Sequence, residues 1–125
     1  MGVKIFEGGP AGRQVFTWSK GGTFQGDRLR GIMVPGPCNE RAVTRSDGVT
    51  VADVYLLLQT DDGAEIMMKY IATAVPTGGG NMSIRNFPIF ETAHPDYQWI
   101  NSVQAITYYD IKDGIITPRE VYQLV

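Results

Sequence analysis

Hydrophobic and polar residues alternate with a period close to two through most of the chain, and turn residues interrupt the alternation at short intervals. A period of two places successive side chains on opposite faces of a β-strand, so the pattern predicts an all-β protein. The predicted strands are residues 14–18, 29–34, 41–44, 50–60, 65–74, 82–90 (interrupted at Pro88), 103–111 and 115–124.

The strongest hairpin signal joins strands 50–60 and 65–74 through the turn Asp61-Asp62-Gly63-Ala64. In the first strand Ala52, Val54, Leu56 and Leu58 share one face, and in the second Ile66, Met68, Tyr70 and Ala72 share one face. The opposite faces also carry apolar groups, which is typical of a sheet covered on two sides, by a helix or by another subunit.

One short helical turn is expected at residues 94–101, because Pro95 suits the first position of a helix. The closing strands, 103–111 and 115–124, are joined by a turn at residues 112–114 and form a second hairpin. About eight to ten antiparallel strands with no βαβ pattern favour a closed or nearly closed β-barrel, because closure removes exposed strand edges. We expect residues 1–125 to form a single β-barrel domain.

The amino-acid composition argues against several classes of partner and site. The chain has 11 Lys plus Arg against 13 Asp plus Glu, a net charge of −2, and no basic run, so nucleic acid is not an expected partner. Cys38 is the only cysteine and His94 the only histidine, so neither a disulfide nor a metal site is predicted. No signal-peptide pattern or membrane-spanning run is present in the sequence, and we expect a cytoplasmic location with no membrane partner.

Several short motifs recur in one order: Gly21-Gly22-Thr23-Phe24-x-Gly26-x-Arg28-Leu29-Arg30-Gly31, Pro35-Gly36, Arg45-x-Asp47-Gly48-Val49, Asp53-Val54, Thr60-Asp61-Asp62-Gly63-Ala64, Phe90-Glu91-Thr92, Pro95-x-Tyr97-x-Trp99-x-Asn101 and Val121-Tyr122. In this combination the chain resembles domain-of-unknown-function family 3237, also called uncharacterised protein family 0311, from about Thr17 to Val125. The resemblance implies a compact β-barrel-like domain and a homo-oligomer, and it implies no agreed activity.

Asp53 is the first candidate catalytic residue, because it is a carboxylate in the middle of a strand between Val51 and Tyr55. If Asp53 faces the barrel interior, desolvation would raise its pKa and make it an acid or base near neutral pH. The alternative is a structural ion pair with Arg28 or Arg30, and either arginine could instead pair with Glu40 across the sheet.

Arg28 and Lys69 are the candidate electrostatic partners of Asp53, since a cation beside a carbonyl stabilises the oxyanion that forms when a neighbouring proton is removed. The residues expected to line the ligand pocket are Tyr55, Tyr70, Met68, Trp99 and Glu91. The alternative for the aromatic members is simple packing, with Trp99 closing one end of the barrel.

These residues favour a cofactor-free lyase or isomerase, including a cyclase, that acts on a small hydrophobic carbonyl or hydroxyl compound inside the barrel. Two alternatives stay open: a binding protein that carries a hydrophobic metabolite without chemistry, and an oligomeric structural protein whose two-sided apolar strands pack subunits together.

Overall fold

The computed structural model describes residues 2–124. Twelve strands form one antiparallel sheet, and their bounds are β1 Gly2–Gly9, β2 Gly12–Trp18, β3 Gly22–Gln25, β4 Arg30–Met33, β5 Asn39–Thr44, β6 Thr50–Thr60, β7 Glu65–Gly78, β8 Asn81–Asn86, β9 Ile89–Glu91, β10 Ala105–Lys112, β11 Ile115–Ile116 and β12 Glu120–Gln123. The predicted all-β antiparallel architecture is confirmed. A 3-10 helix, Pro95–Ser102, occupies the position of the expected helical turn.

The main path through the sheet runs β1, β2, β5, β6, β7, β8, β10, β11, and β12 pairs with β10. The sheet curls into a half-barrel with a concave and a convex face. Within the described residues β1 does not pair with β11 or β12, so the predicted closure of the barrel is not confirmed. The central β6–β7 hairpin matches its predicted register, since Ala52 pairs with Ala72 and Val54 with Tyr70.

The concave face holds the core, and the convex face is exposed at most positions. Ile66 is 0% exposed, while its convex neighbour Met67 is 36% exposed. The buried concave residues along β6 and β7 are Ala52, Val54, Leu56, Leu58, Ile66, Met68, Tyr70 and Ala72. The even-numbered face of both strands is therefore the interior.

β1 was not predicted from the sequence. Its ends are rich in glycine, at Gly2, Gly8 and Gly9, and Pro10 follows directly, a composition typical of a loop. The segment becomes a strand because five consecutive residues, from Gly2 to Phe6, pair with β2 across a tight turn. Tertiary pairing overrides the weak local preference of glycine here.

Two contacts fix the end of the half-barrel near the 3-10 helix. The hydroxyl of Tyr97 donates to Asp62 in the β6–β7 turn at 2.9 Å, and the side chain of Asn101 accepts from the Thr92 N–H at 2.7 Å. Ile100 of the same helix is 5% exposed and packs on the core. Among residues 2–124, no helix has the length and apolar character needed to cross a membrane.

Candidate active site

A pocket of about 190 Å³ opens on the concave face, over the middle of β6. One row of side chains crosses four neighbouring strands beneath it, because Thr17 pairs with Glu40, Glu40 with Val54, and Val54 with Tyr70. All four residues line the pocket, together with apolar groups from Met33, Cys38 and Leu56. A glutamate on β5 and a tyrosine on β7 therefore face the same pocket, with β6 between them.

Glu40 is the carboxylate of this pocket. It is half-buried on β5, and its burial raises its pKa above the ordinary glutamate value of 4.5, while the positive charge of Arg119 partly offsets the rise. A carboxyl group with a raised pKa holds and releases a proton closer to neutral pH than a solvated one. An interior Asp53 would have had the same property.

Arg119 reaches the pocket from the segment between β11 and β12. The turn before β11 contains Asp113 and Gly114, both with positive φ (53° and 76°), as a two-residue hairpin requires. Two hydrogen bonds of 2.9 Å then hold Thr117 to the backbone of Asp110, one through the Thr117 N–H and one through its hydroxyl. Arg119 follows two residues later and extends over the concave face.

Two tyrosines contact Arg119. Its Nη1 donates to the Tyr70 hydroxyl at 3.2 Å, and its guanidinium carbon lies 4.6 Å from the centroid of the Tyr109 ring. Burial raises the pKa of both tyrosines, against the opposing charge of Arg119, so both hydroxyls stay protonated at neutral pH. The Tyr70 oxygen accepts from Arg119, so the Tyr70 hydroxyl can donate its own proton either to the neighbouring Tyr109 oxygen or to a ligand.

Asp53 lies on the convex face, so the condition for its role as an interior acid or base is not met. Odd-numbered residues of β6 point outward, and Asp53 accepts a hydrogen bond from Arg41 Nη2 at 2.8 Å in an ion pair whose side chains are 39% and 51% exposed. The expected structural alternative, an ion pair, is what the structure contains, although the partner is Arg41 rather than Arg28 or Arg30.

Tyr55 and Lys69 also lie on the convex face, directly opposite each other in the β6–β7 register. The Lys69 ammonium is 5.6 Å from the Tyr55 ring centroid, and Tyr55 is 45% exposed. The prediction that these two residues share a face with Asp53 is confirmed, but that face is outside the half-barrel. Their expected positions in an interior site are therefore wrong.

Arg28 and Trp99 contact each other at the end of the half-barrel near the 3-10 helix. The Arg28 guanidinium carbon is 3.5 Å from the Trp99 ring centroid, a cation–π contact between the β3–β4 turn and the helix. Arg28 therefore stacks on Trp99 and does not join Asp53 and Lys69 in one cluster. Trp99 packs against the core, as in the alternative that assigned it to closing one end.

The remaining predicted ligand-binding residues divide between the two faces. Tyr70 and Met68 are on the concave face, 5% and 8% exposed, and Tyr70 lines the pocket. Glu91 pairs with Met67 on the convex face and borders a wide, open groove there beside Glu65 and His94. Of the eight predicted site residues, the structure places Tyr70 alone in the lining of the concave pocket.

Sequence reasoning missed Glu40, Tyr109 and Arg119 as site residues. One signal was present for the orientation of the sheet: the even positions of β6 from Ala52 to Leu58 are all apolar, whereas the odd positions include Asp53 and Gln59. A face that is wholly apolar is the interior face. Cross-strand pairing then places Glu40 inside, because it lies opposite Val54.

The residues of the pocket suit proton transfer without a metal. Within the part of the chain that the structure describes, no group of three or more His, Cys, Asp or Glu side chains is arranged to hold a metal ion. Glu40 can accept or donate a proton, and Arg119 and Tyr70 can donate hydrogen bonds to an oxygen that gains negative charge. The absence of a cofactor stays a prediction.

Known proteins resemble this chain in sequence pattern and in fold. Residues 2–114 match the family model described as "Protein of unknown function (DUF3237)". No curated protein matches the chain.

Solved structures share the fold. A β-barrel like protein from Acinetobacter baumannii is 23% identical, with a TM-score of 0.85 over 98% of this chain and 86% of that one. A conserved protein of unknown function from Rhodopseudomonas palustris is 19% identical, with a TM-score of 0.83 over 100% and 90% of the two chains. A structure described as an enzyme from Penicillium herquei is 21% identical, with a TM-score of 0.69 over 98% and 83% of the two chains.

Proposed function

Because the chain belongs to DUF3237, a family of proteins of unknown function, the pocket itself must suggest the chemistry, and we propose that it catalyses cofactor-free proton transfer in a small hydrophobic carbonyl or hydroxyl compound, as a lyase or isomerase. The observation that carries the proposal is the half-buried Glu40 in a pocket that Tyr70 and Arg119 also line.

Glu40 acts as the general base in this mechanism. Its carboxylate removes a proton from a carbon next to the substrate carbonyl, and the electron pair of the C–H bond moves into the enolate. Tyr70 and Arg119 donate hydrogen bonds to the enolate oxygen, which gains the negative charge. In a substrate whose enolate is conjugated to a C=C bond, protonated Glu40 then returns the proton to a more distant carbon, which gives an isomer. In a substrate with a leaving group on the β-carbon, the enolate re-forms the C=O, a C=C bond forms, the bond to the leaving group breaks, and Glu40 protonates that group, which gives an elimination.

The spacing of the row supports this division of roles. Glu40 and Tyr70 are separated by β6, so their backbones lie about two strand spacings, roughly 10 Å, apart. Side chains reaching inward from both positions leave room for a flat small molecule between a base and an oxyanion donor. The similarity to a structure described as an enzyme favours catalysis over storage. The homo-oligomer and the cytoplasmic location stay predictions.

The test is deuterium exchange at the α-carbon of 1-tetralone in D₂O, followed by proton NMR. We expect the wild-type protein to accelerate the exchange and Glu40→Gln to lower the rate roughly 10²- to 10⁴-fold, the usual contribution of a general base. Asp53→Asn is the matched control, because it neutralises the other mid-strand carboxylate of the same sheet on the convex face, and its rate should stay within about twofold of wild type.

Exchange that survives Glu40→Gln, or that is lost equally in both variants, would contradict the proposal. Saturable binding of 1-tetralone with no exchange in the wild-type protein would instead support the non-catalytic binding protein.

A further inference from the structure

Asn86 on β8 and Thr107 on β10 form a buried polar pair on the concave face. They are opposite each other in the register and are 2% and 3% exposed. Within residues 2–124, neither the Nδ2 nor the Oδ1 atom of Asn86 has a hydrogen-bond partner, and the Thr107 hydroxyl has none. Each polar group that is buried without a hydrogen-bond partner lowers the free energy of unfolding by about 1–3 kcal/mol. A folded protein that keeps three of them together calls for a ligand that satisfies them.

The pair lies beside the smallest side chains of the concave face. Asn86 follows Arg85, which pairs with Thr73, so its neighbour on β7 is Ala72. Ala72 in turn pairs with Ala52 on β6. Ala52 and Ala72 are each 5% exposed, and their small side chains occupy little of the volume above the sheet beside the pair.

The groups of the proposed active site flank the same row. Tyr70 lies two residues from Ala72 and Tyr109 two residues from Thr107, each on the concave face but on opposite sides of the row. Arg119 bridges the two tyrosines, with its 3.2 Å hydrogen bond to Tyr70 and its stacking on Tyr109. Tyr70 and Arg119, which line the pocket, therefore also border the buried pair, and Tyr109 borders the pair on its other side.

We propose that Asn86 and Thr107 form an inner subsite of this pocket, and that it receives a substrate edge carrying a hydrogen-bond donor next to an acceptor, as in a lactam or an enolised diketone. The Asn86 carboxamide offers N–H donors and a carbonyl acceptor side by side. A substrate edge with an acceptor next to a donor can therefore bond to the Asn86 Nδ2 and Oδ1 atoms at the same time. The Thr107 hydroxyl donates or accepts at the same edge. The inference rests on the proposed function for the pocket and narrows its substrate class.

The test compares two probes that differ only at this edge: 2-quinolone, which has an N–H next to a carbonyl, and quinoline, which has neither. Isothermal titration calorimetry gives both affinities for the wild-type protein and for Asn86→Leu and Thr107→Val. We expect the wild-type protein to bind 2-quinolone roughly tenfold or more tightly than quinoline, and the preference to disappear in Asn86→Leu. Thr73→Val is the control, since it removes a hydroxyl from the exposed side of β7.

Stability supplies an independent readout. Replacing buried, unpartnered polar groups by apolar groups of similar shape is neutral or stabilising. Urea denaturation should therefore show Thr107→Val at least as stable as wild type, although its preference for 2-quinolone falls. If Asn86→Leu fails to fold, Thr107→Val still tests the subsite, because valine matches threonine in shape.

Equal affinities for the two probes, binding of neither probe, or a preference that survives in both variants would overturn the subsite. Glu40→Gln separates the two proposals, because equilibrium binding needs no proton transfer. An intact preference with no α-proton exchange contradicts the proposed function alone, and intact exchange with no preference contradicts the subsite alone.

Discussion

The two faces of the central sheet carry side chains of nearly the same types. On the convex face Asp53 pairs with Arg41, and Tyr55 lies opposite Lys69. On the concave face the matching groups are Glu40, Tyr70 and Arg119. Each face thus offers an acid, a phenol and a cation, and they differ in what surrounds those groups.

Burial separates the two sets. The convex acid is 39% exposed and has a direct arginine partner at 2.8 Å, so water and the ion pair both stabilise its charge. The concave acid has lost much of its water, and its pKa is raised because the charge of Arg119 only partly compensates. Residue types alone therefore do not identify a reactive site, and the face on which they lie does.

Core substitution is expected to give the largest difference between the faces. Ile66→Ala removes a side chain that is 0% exposed, and Ile71→Ala removes the same side chain from the convex face of the same strand, where it is 57% exposed. We expect Ile66→Ala to lower the free energy of unfolding by about 2–5 kcal/mol and Ile71→Ala by about 1 kcal/mol or less, as measured by urea denaturation.

Equal losses in the two variants would mean that the convex face of β7 is also buried in solution, as the expected homo-oligomer would require. Repeating the measurement over a range of protein concentrations distinguishes that case, because the stability of an oligomer depends on concentration.

The sequence predicts the central hairpin closely but leaves open which of its two faces is the interior, and the site proposed at Asp53 depends on that choice. Strands 50–60 and 65–74 and the sets of residues that share a face agree with β6 and β7, because period-two alternation and the Asp-Asp-Gly turn are local signals. Which set is interior depends on the curl of the whole sheet, and both sets contain leucine, isoleucine or methionine. If the odd-numbered face of β6 is taken as the interior instead of the even-numbered face, every side chain changes sides. The candidate acid is then Asp53, whereas the acid on the true interior face is Glu40.

Arg119 could not be predicted for a different reason. It lies on an exposed connection near the end of the chain, and it contacts Tyr70, which is 49 positions away in the sequence. Nothing in the local sequence of Thr117, Pro118 and Arg119 indicates which strand the side chain will reach. Contacts of this kind depend on the path of the whole sheet, so they follow from topology rather than from a motif.

The pH dependence of stability should distinguish the two acids next. Because the pKa of Glu40 is higher in the folded than in the unfolded protein, the folded state holds the proton more tightly, and the ionised carboxylate destabilises the fold above that pKa. We therefore expect Glu40→Gln to raise the free energy of unfolding at pH 7.

The gain should shrink as the pH falls through the folded pKa and vanish below the ordinary glutamate value of 4.5, where both states of the wild-type protein are protonated. Urea denaturation across this range measures it. A gain that does not change with pH would show that the glutamine acts by packing and not by removing a charge.

Asp53→Asn should give the smallest effect. The ion pair between Asp53 and Arg41 is well aligned at 2.8 Å, but its side chains are 39% and 51% exposed. Exposed pairs of this kind contribute about 0.2–1 kcal/mol, and dissolved salt screens them. We therefore expect a loss of this size for Asp53→Asn at low ionic strength, and a smaller loss in about 1 M salt. A loss several times larger that salt does not reduce would show that the convex face is desolvated, and the contrast between the two acids would then lose its basis.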